Sequence, residues 1–410
     1  MSPRLKFGVV FLSTLLTLML VIGAVTGESK EKEQGAYRPL SVYTEVLAKI
    51  KSDYVEEPDM TKVTRGALQG LVEYLDPLSS YLTAEQYKVF QESQKNDDGG
   101  SGLATGLILQ KRSSLTHALG VLPGSPADKA GIRPGDYVEA LDSLSTRVMP
   151  PAYMLSMLSG KPGTTISVLV RPASKPDEPV EHKLVRSKVE LPPVASKILD
   201  GGIGYIDVDV LDENRVSDVG KALNRLKTQG ATKWILDLRG TSWGEAQSGV
   251  KLANYFLRQG TITTLKGQQH PEQKLEALPG DALTDAPLVV ITDRMTAGGA
   301  EIVAAAILDN DRGAVTGERT YGLAALSKTI PLDDGAALVL SVAKYHRASG
   351  KALQDGGVEP SHPLSPTELR KYRSAEMEEA PQPAVPQEDP FLQRAIEILQ
   401  ELAPALPKAA

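Results

Sequence analysis

TDRMTAGGAEIVAAAILDNDRGAVTGERTYGL, residues 292–323, decides how this chain folds. Thr292 lies in PLVVITD (287–293), an apolar, β-branched run of strand length. AEIVAAAILDN (300–310) follows with helical length and composition, and RGAVTGE (312–318) returns to strand character. Thr296 stands just ahead of the helix, where a hydroxyl caps free amides. Working upstream, GGIGYIDVDVL (201–211) and KWILDLRG (233–240) read as strands, while SDVGKALNRLKTQG (217–230) and GEAQSGVKLANYFLRQG (244–260) read as helices. Gly230 ends the first of these helices. Downstream, ALSKTIPL (325–332) and AALVLSVAKYH (336–346) are strand-like. The alternation predicts an α/β domain over 196–365, a mixed sheet with helices on its faces. Gly298-Gly299 has no following phosphate-loop lysine, so a nucleotide site is not indicated.

Ahead of this domain, residues 38–95 carry helical apolar spacing in LSVYTEVLAKIKSDYV, TRGALQGLVEYL and TAEQYKVFQES. Asp76-Pro77 ends one helix, and Asp76–Ser80 is expected to be a helix–turn–helix connector. Thr83 and Gln86 have the spacing of a capping box. Asn96–Gly102 is a polar, glycine-rich hinge. Then LGVLPGSPADKAGIRPGDYVEALDSLS (119–145) supplies a strand, a short helix and the Ala-Gly-Ile-x-Pro-Gly-Asp turn. This string resembles a PDZ domain, expected over residues 101–190. The resemblance implies a peptide added as a strand to a sheet edge, its terminal carboxylate received by loop amides. That loop falls on Leu103, Ala104, Thr105, Gly106 and Leu107, which is poor in glycine for the role. The flanking helix would be Pro151–Leu158, with Tyr153, Met154 and Met157 lining the groove or simply filling the core. Residues 366–388, rich in Pro and Glu, read as a disordered linker. A C-terminal helix is expected over 389–404, with Asp389-Pro390 as N-cap and first residue. Its apolar face would serve self-association or pack on the domain beside it.

Composition narrows the function. A formal net charge of −6 over 410 residues gives no electrostatic case for nucleic acid. Cysteine is absent, which excludes disulfides, thiolate metal sites and a cysteine nucleophile. The five histidines are scattered without metal-ligand spacing, so neither metal nor cofactor is expected. Arg4 and Lys6 precede an uncharged run from Phe7 to Gly27, which reads as a signal peptide or a retained membrane anchor. Either places the rest of the chain outside the cytoplasm, in a bacterial cell envelope, periplasmic or anchored to the inner membrane.

The 292–323 segment resembles the catalytic segment of the carboxy-terminal processing proteases, tail-specific serine peptidases of family S41. The likeness extends to GALQGLVEYLDPLSSYLTAEQY (66–87), LDLRGTSWG (236–244) and GKALQDGGVEP (350–360). It implies an α/β multidomain (α+β) chain: helical subdomain, PDZ-like β domain, ClpP/crotonase-like core and C-terminal helix. In that family a Ser-Ala-Ser-Ala-Ser-Glu-Ile run places the nucleophile, a lysine after Thr-Tyr-Gly is the base, and a glutamine orients it. Glu301-Ile302 fixes the alignment, which puts Gly298, Leu323 and Ser327 at those three positions. Glycine has no nucleophilic atom and leucine accepts no proton. Trp243 replaces the first glycine of the family's oxyanion loop. Thr296 and Lys328 are the substitutes a relocated site would use. The expectation is a non-catalytic relative that binds C-termini of exported proteins. The alternatives are a peptidase with a relocated or partner-completed site, and a structural oligomer. A second copy of the chain or an active paralogue is the expected protein partner.

Overall fold

The computed structural model describes residues 14–15, 17–19, 39–95, 104–112, 115–354, 356–370, 372 and 389–402. Residue 103, most of the 7–27 apolar run and most of the 366–388 linker lie outside them, and the described start of that linker, 366–370, is helical rather than disordered. Among the described residues no helix is long and apolar enough to cross a membrane. The chain divides into two compact units, Met1–Leu68 and Gln69–Ala410.

The first unit contains helix α1 (residues 39–53) and the start of α2 (Met60–Glu73). Asp59 caps α2 by accepting from Thr61 N and Lys62 N at 3.0 and 3.1 Å, and those donors lower its carboxyl's pKa.

The larger unit continues with β1 (Ser80–Leu82) and α3 (Ala84–Lys95). Thr83 and Gln86 form the reciprocal capping box expected of them. The Asp76–Ser80 connector departs from expectation, because it delivers a strand rather than a second helix. Asp76 accepts from Leu78 N and Ser79 N at 2.8 and 2.9 Å, turning the chain so that β1 pairs antiparallel with a later strand.

Next come β2 (Leu107–Arg112), β3 (Leu115–Val121), α4 (Pro126–Lys129), β4 (Tyr137–Leu141), β5 (Leu144–Ser145), α5 (Pro151–Leu158), β6 (Thr165–Arg171) and β7 (Val180–Val185). These strands form one antiparallel sheet in the order β2-β3-β4-β6-β7, with β5 beside β4. Leu107, Leu109, Ile132, Met154, Leu158, Ile166 and Val168 fill its core. Gly106, at φ +72°, is required: a Cβ there would lie 2.0 Å from the Cβ of Ser125, the cap of α4.

The remaining elements are β8 (Ala195–Leu199), β9 (Ile203–Asp207), α6 (Glu213–Thr228), β10 (Lys233–Asp237), α7 (Ala246–Asn254), β11 (Thr261–Lys266), β12 (Gln273–Glu276), β13 (Leu288–Thr292), α8 (Gly299–Asp309), β14 (Ala314–Gly317), β15 (Ala325–Pro331), β16 (Ala337–His346), β17 (His362–Pro363), α9 (366–370) and α10 (Pro390–Leu402). The sequence suggested one mixed sheet; the structure has two. A six-stranded sheet, β17-β14-β13-β10-β9-β8, is parallel except for β8 at its edge. A second, antiparallel sheet joins β1, β16, β11 and β12, with β15 also on β16. Local alternation reports strand character but not pairing, so the division between sheets had no local signal.

Both faces of the parallel sheet are buried. Ile206, Trp234, Leu236, Leu288 and Val290 point to α6, α7 and α8. Ile203, Ile235, Val289 and Ile291 point to α10, whose Phe391, Ala395, Ile398 and Leu399 cover them. The C-terminal helix therefore packs on its own domain.

α7 and α8 cross with almost no space between them. A Cβ on Gly249 would fall 2.2 Å from Gly299 O, and one on Gly299 would fall 2.6 Å from Glu245 O. Gly249→Ala is thus expected to force the helices apart and cost about 1–3 kcal/mol. Urea denaturation checks this, and an unchanged midpoint would refute it.

Candidate functional site

The site grows from the turn between β13 and α8. Asp293 Oδ1 accepts from Met295 N (3.0 Å), Thr296 N (2.8 Å), Thr296 Oγ1 (2.9 Å) and Gly240 N (3.1 Å). One carboxylate thus ties this turn to the loop after β10, while burial raises its pKa. Thr296 Oγ1 also approaches Leu238 O at 2.8 Å and accepts from Asp293 N at 3.0 Å. Thr296 is fully buried and engaged within the turn; it does not cap α8. The N-cap is Gly298, at φ 61° and ψ −123°. That conformation is open to glycine and strained for any residue with a Cβ. Space is not the obstacle, since the nearest atom to an added Cβ is Gly244 O at 3.4 Å.

Glu301, in the first turn of α8 and fully buried, holds the two vacated positions together. It accepts from Gly298 N at 3.1 Å, Gly322 N at 2.7 Å, Leu323 N at 2.7 Å and the Thr320 hydroxyl. Burial raises its carboxyl's pKa, and these four donors offset part of that rise. From the other side, Thr320 accepts from Val358 N at 2.7 Å, and Gln354 accepts from Ala324 N at 2.9 Å. The sequence used Glu301 only to set the alignment. Its place as the acid in the first turn of an otherwise apolar helix start was the available signal of a buried, multiply bonded carboxylate.

The remaining candidate positions do not all join this arrangement. Leu323 is half-buried and packs with Trp243 and Tyr321 against Ile108, Leu119, Leu122, Val210, Met295 and Ala297. Ser327 and Lys328 are both exposed on β15, beyond an irregularity in its pairing with β16. The geometry thus gives the substitute pair no dyad: Thr296 is enclosed and Lys328 is solvated, whereas a neutral amine base needs desolvation. Loop 240–244 is held by Ala297 N donating to Thr241 O at 2.9 Å and Leu211 N donating to Trp243 O at 3.0 Å.

In the β2–β7 domain the expected peptide-binding residues separate. Leu103 lies outside the described residues. Thr105 and Leu107 are fully buried, and the carbonyls of Ala104, Thr105 and Gly106 accept from Ser187 N, Ala127 N and Leu122 N. Met154 is fully buried and belongs to the domain core, which corrects its reading as a groove residue. It sits on the inner face of α5, so helical spacing alone could not distinguish core from groove. Tyr153 is half-buried and packs beside Tyr87 and Phe90 of α3. Tyr153 and Met157 line a cavity of ≈ 380 Å³ with Val89, Glu92, Lys161 and Arg186.

Sequence reasoning missed Arg186. Its Nη2 donates to Met157 O at the end of α5, and its Nη1 donates to Thr164 Oγ1 at 3.0 Å. Its Nε is buried with no hydrogen-bond partner among the described residues. Gly160 makes room for it: an added Cβ would meet Arg186 Cδ and Nε at 3.0 Å. The next residue, Ser187, donates its N–H to Ala104 O at 2.9 Å, so the main chain after Arg186 runs beside the 104–107 loop while the guanidinium itself turns to the end of α5.

Comparison with known proteins agrees with this architecture. A model described as peptidase family S41 matches residues 202–364, and one described as a PDZ domain matches 117–172. The carboxyl-terminal-processing protease of Picosynechococcus sp. is 33% identical over 288 residues, covering 70% of this chain and 69% of its own. The carboxy-terminal-processing protease of Bartonella bacilliformis is 27% identical over 369 residues, covering 89% and 82%. A photosystem II D1 C-terminal processing protease superposes with a TM-score of 0.62 over 80% of this chain and 93% of its own. At 24% identity that last likeness speaks for the fold. The chain belongs to the carboxy-terminal processing proteases of peptidase family S41, with a PDZ domain beside its α/β core.

Proposed function

We propose that this protein receives the C-termini of exported polypeptides on its PDZ domain and does not hydrolyse them, acting in the bacterial cell envelope. The observation that carries this reading is Gly298, which supplies no atom for attack at the start of α8. Three further features support it. Leu323 is apolar at the base position, Thr296 is enclosed by its own turn, and Lys328 is solvated. On the binding side, Arg186 offers a guanidinium to a terminal carboxylate, and Tyr153 and Met157 offer apolar walls to its last side chain. The apolar run from Phe7 to Gly27 carries the chain to the envelope, either cleaved or retained as its anchor. The names of the relatives favour a second reading, an active peptidase completed elsewhere on the chain or by a partner.

The test incubates the purified protein with an unstructured protein substrate, and measures binding of peptides ending in a free carboxylate or a C-terminal amide. No turnover is expected, with binding that amidation or Arg186→Gln weakens about tenfold or more. Turnover abolished by Thr296→Ala would overturn the non-catalytic reading. Turnover only with a second protein present would favour a partner-completed site. No binding of any peptide would leave a structural assembly as the better account.

A further inference from the structure

We propose that the vacated dyad region has become a seat for the peptide-receiving strand of the PDZ domain, with Leu323 and Trp243 as its positioning residues. For peptide affinity this rests on the function proposed above; for the seat itself it does not.

β2 is the edge strand of its sheet, and an added peptide would pair along it. An edge strand normally has one face on its own core and one toward solvent. Here Leu107 and Leu109 face the PDZ core, while Ile108, between them, points the other way and is only 6% exposed. It is buried because the α/β core comes up against it. Ile108, Leu119 and Leu122 of the PDZ domain form one cluster with Val210, Met295 and Ala297 of the core. Trp243, Tyr321 and Leu323 pack against this cluster, as do Val189 and Leu191 of the connecting segment.

Three further contacts fix the register of the seat. A Cβ on Gly120 of β3 would lie 1.9 Å from Ser242 Oγ, so backbone and loop touch with no space for a side chain. The Tyr321 ring lies 5.9 Å from the His117 ring of β3, and the Arg112 guanidinium sits 5.6 Å over it.

The residue types follow from this arrangement. The Glu301 carboxylate beside position 323 is taken up by main-chain amides and the Thr320 hydroxyl, so an ammonium there would be brought up against an apolar cluster that leucine completes. An indole at 243 extends the same apolar surface. The apolar character of both positions thus has a use of its own, and it acts on β2. A strand held on its outer face loses less freedom when a peptide pairs with its edge.

Amide hydrogen exchange on the full-length protein tests this. In Leu323→Lys, exchange across β2 and β3 is expected to rise about tenfold or more, with protection of β10 and β13 unchanged. Affinity for a peptide with a free C-terminal carboxylate should fall in parallel, and Leu323→Met should restore both. Unchanged exchange in β2 and β3 would overturn the proposal. If Leu323→Lys also unfolds the core sheet, Trp243→Gly is the deciding variant. Local loosening of β2 and β3 there supports the seat; equal loss throughout both sheets refutes it, as it shows general stability alone. A wild-type protein that binds no peptide but loosens locally in Leu323→Lys would refute the peptide-binding function and leave the seat standing.

Discussion

Glu301→Ala is expected to destabilise the protein by at least ~3 kcal/mol, since it strips a common acceptor from four donors at once. Three of those donors, on Gly298, Gly322 and Leu323, are main-chain amides that no other described acceptor serves. Thr320 loses its acceptor while still receiving Val358 N, so the strain passes on to the 356–360 segment. Glu301→Gln keeps the shape but turns an amino group toward amides that need an acceptor, and should cost less than alanine yet well over ~1 kcal/mol. Urea denaturation at neutral pH measures both. A loss below ~1 kcal/mol for alanine would mean that water replaces the carboxylate, and that the turn is not held as described. Such a result would also remove the reason for Gly298 and Leu323 being held at fixed positions.

How much of this was legible in the sequence depended on how local each feature is. α8 and the strands β10 and β13 could be read because length, burial and β-branching coincide in single runs. The PDZ turn at 130–136 could be read because its glycines serve a backbone that few residues allow: Gly131 and Gly135 have φ of +83° and +94°. The vacated positions were legible as gaps in an otherwise matching frame. What lay hidden was long-range or orientational. Arg239 lies in the LDLRG run, but one of its two acidic partners, Asp389, is 150 residues away. Gln354 reads as an ordinary loop amide until its contact with Ala324 N is seen. Met154 and Tyr153 are neighbours on one helix, and only packing shows that the first is core and the second lies at the surface of the cavity. Arg186 sits in a strand-like run whose alternation gives no reason to expect a cation folded back over Gly160.

Arg239→Ala is expected to be the second severe variant, at about 3–5 kcal/mol, because it leaves a buried carboxylate without its cation. Asp237 is only 2% exposed, and Arg239 binds it through Nε at 3.0 Å and Nη2 at 2.6 Å. The same guanidinium reaches Asp389 at 3.1 and 2.7 Å and lies 4.9 Å over the Phe391 ring. Asp389 in turn caps α10 through Phe391 N and Leu392 N, at 3.0 and 3.3 Å. Truncation therefore strikes the sheet and the helix that covers its far face together. Asp389→Asn is a milder change, expected near ~1 kcal/mol, since the amide still caps the helix and Arg239 keeps Asp237. The pH dependence separates an electrostatic loss from a packing loss. Asp207, opposite Asp237 in strand register, has its pKa pushed up to about 6, first by burial and then by Asp237, with Arg239 opposing the rise. A carboxyl with a raised folded-state pKa binds a proton in the folded state before the unfolded chain does, so stability is gained as pH falls from above 6 toward 3.8. Without Arg239 the folded-state value moves higher and that gain is larger. The deficit of Arg239→Ala against wild type should therefore narrow between pH 7 and pH 5 in matched urea titrations. A deficit that stays constant with pH would assign the loss to the missing side-chain contacts over Phe391, and would reject the charge argument.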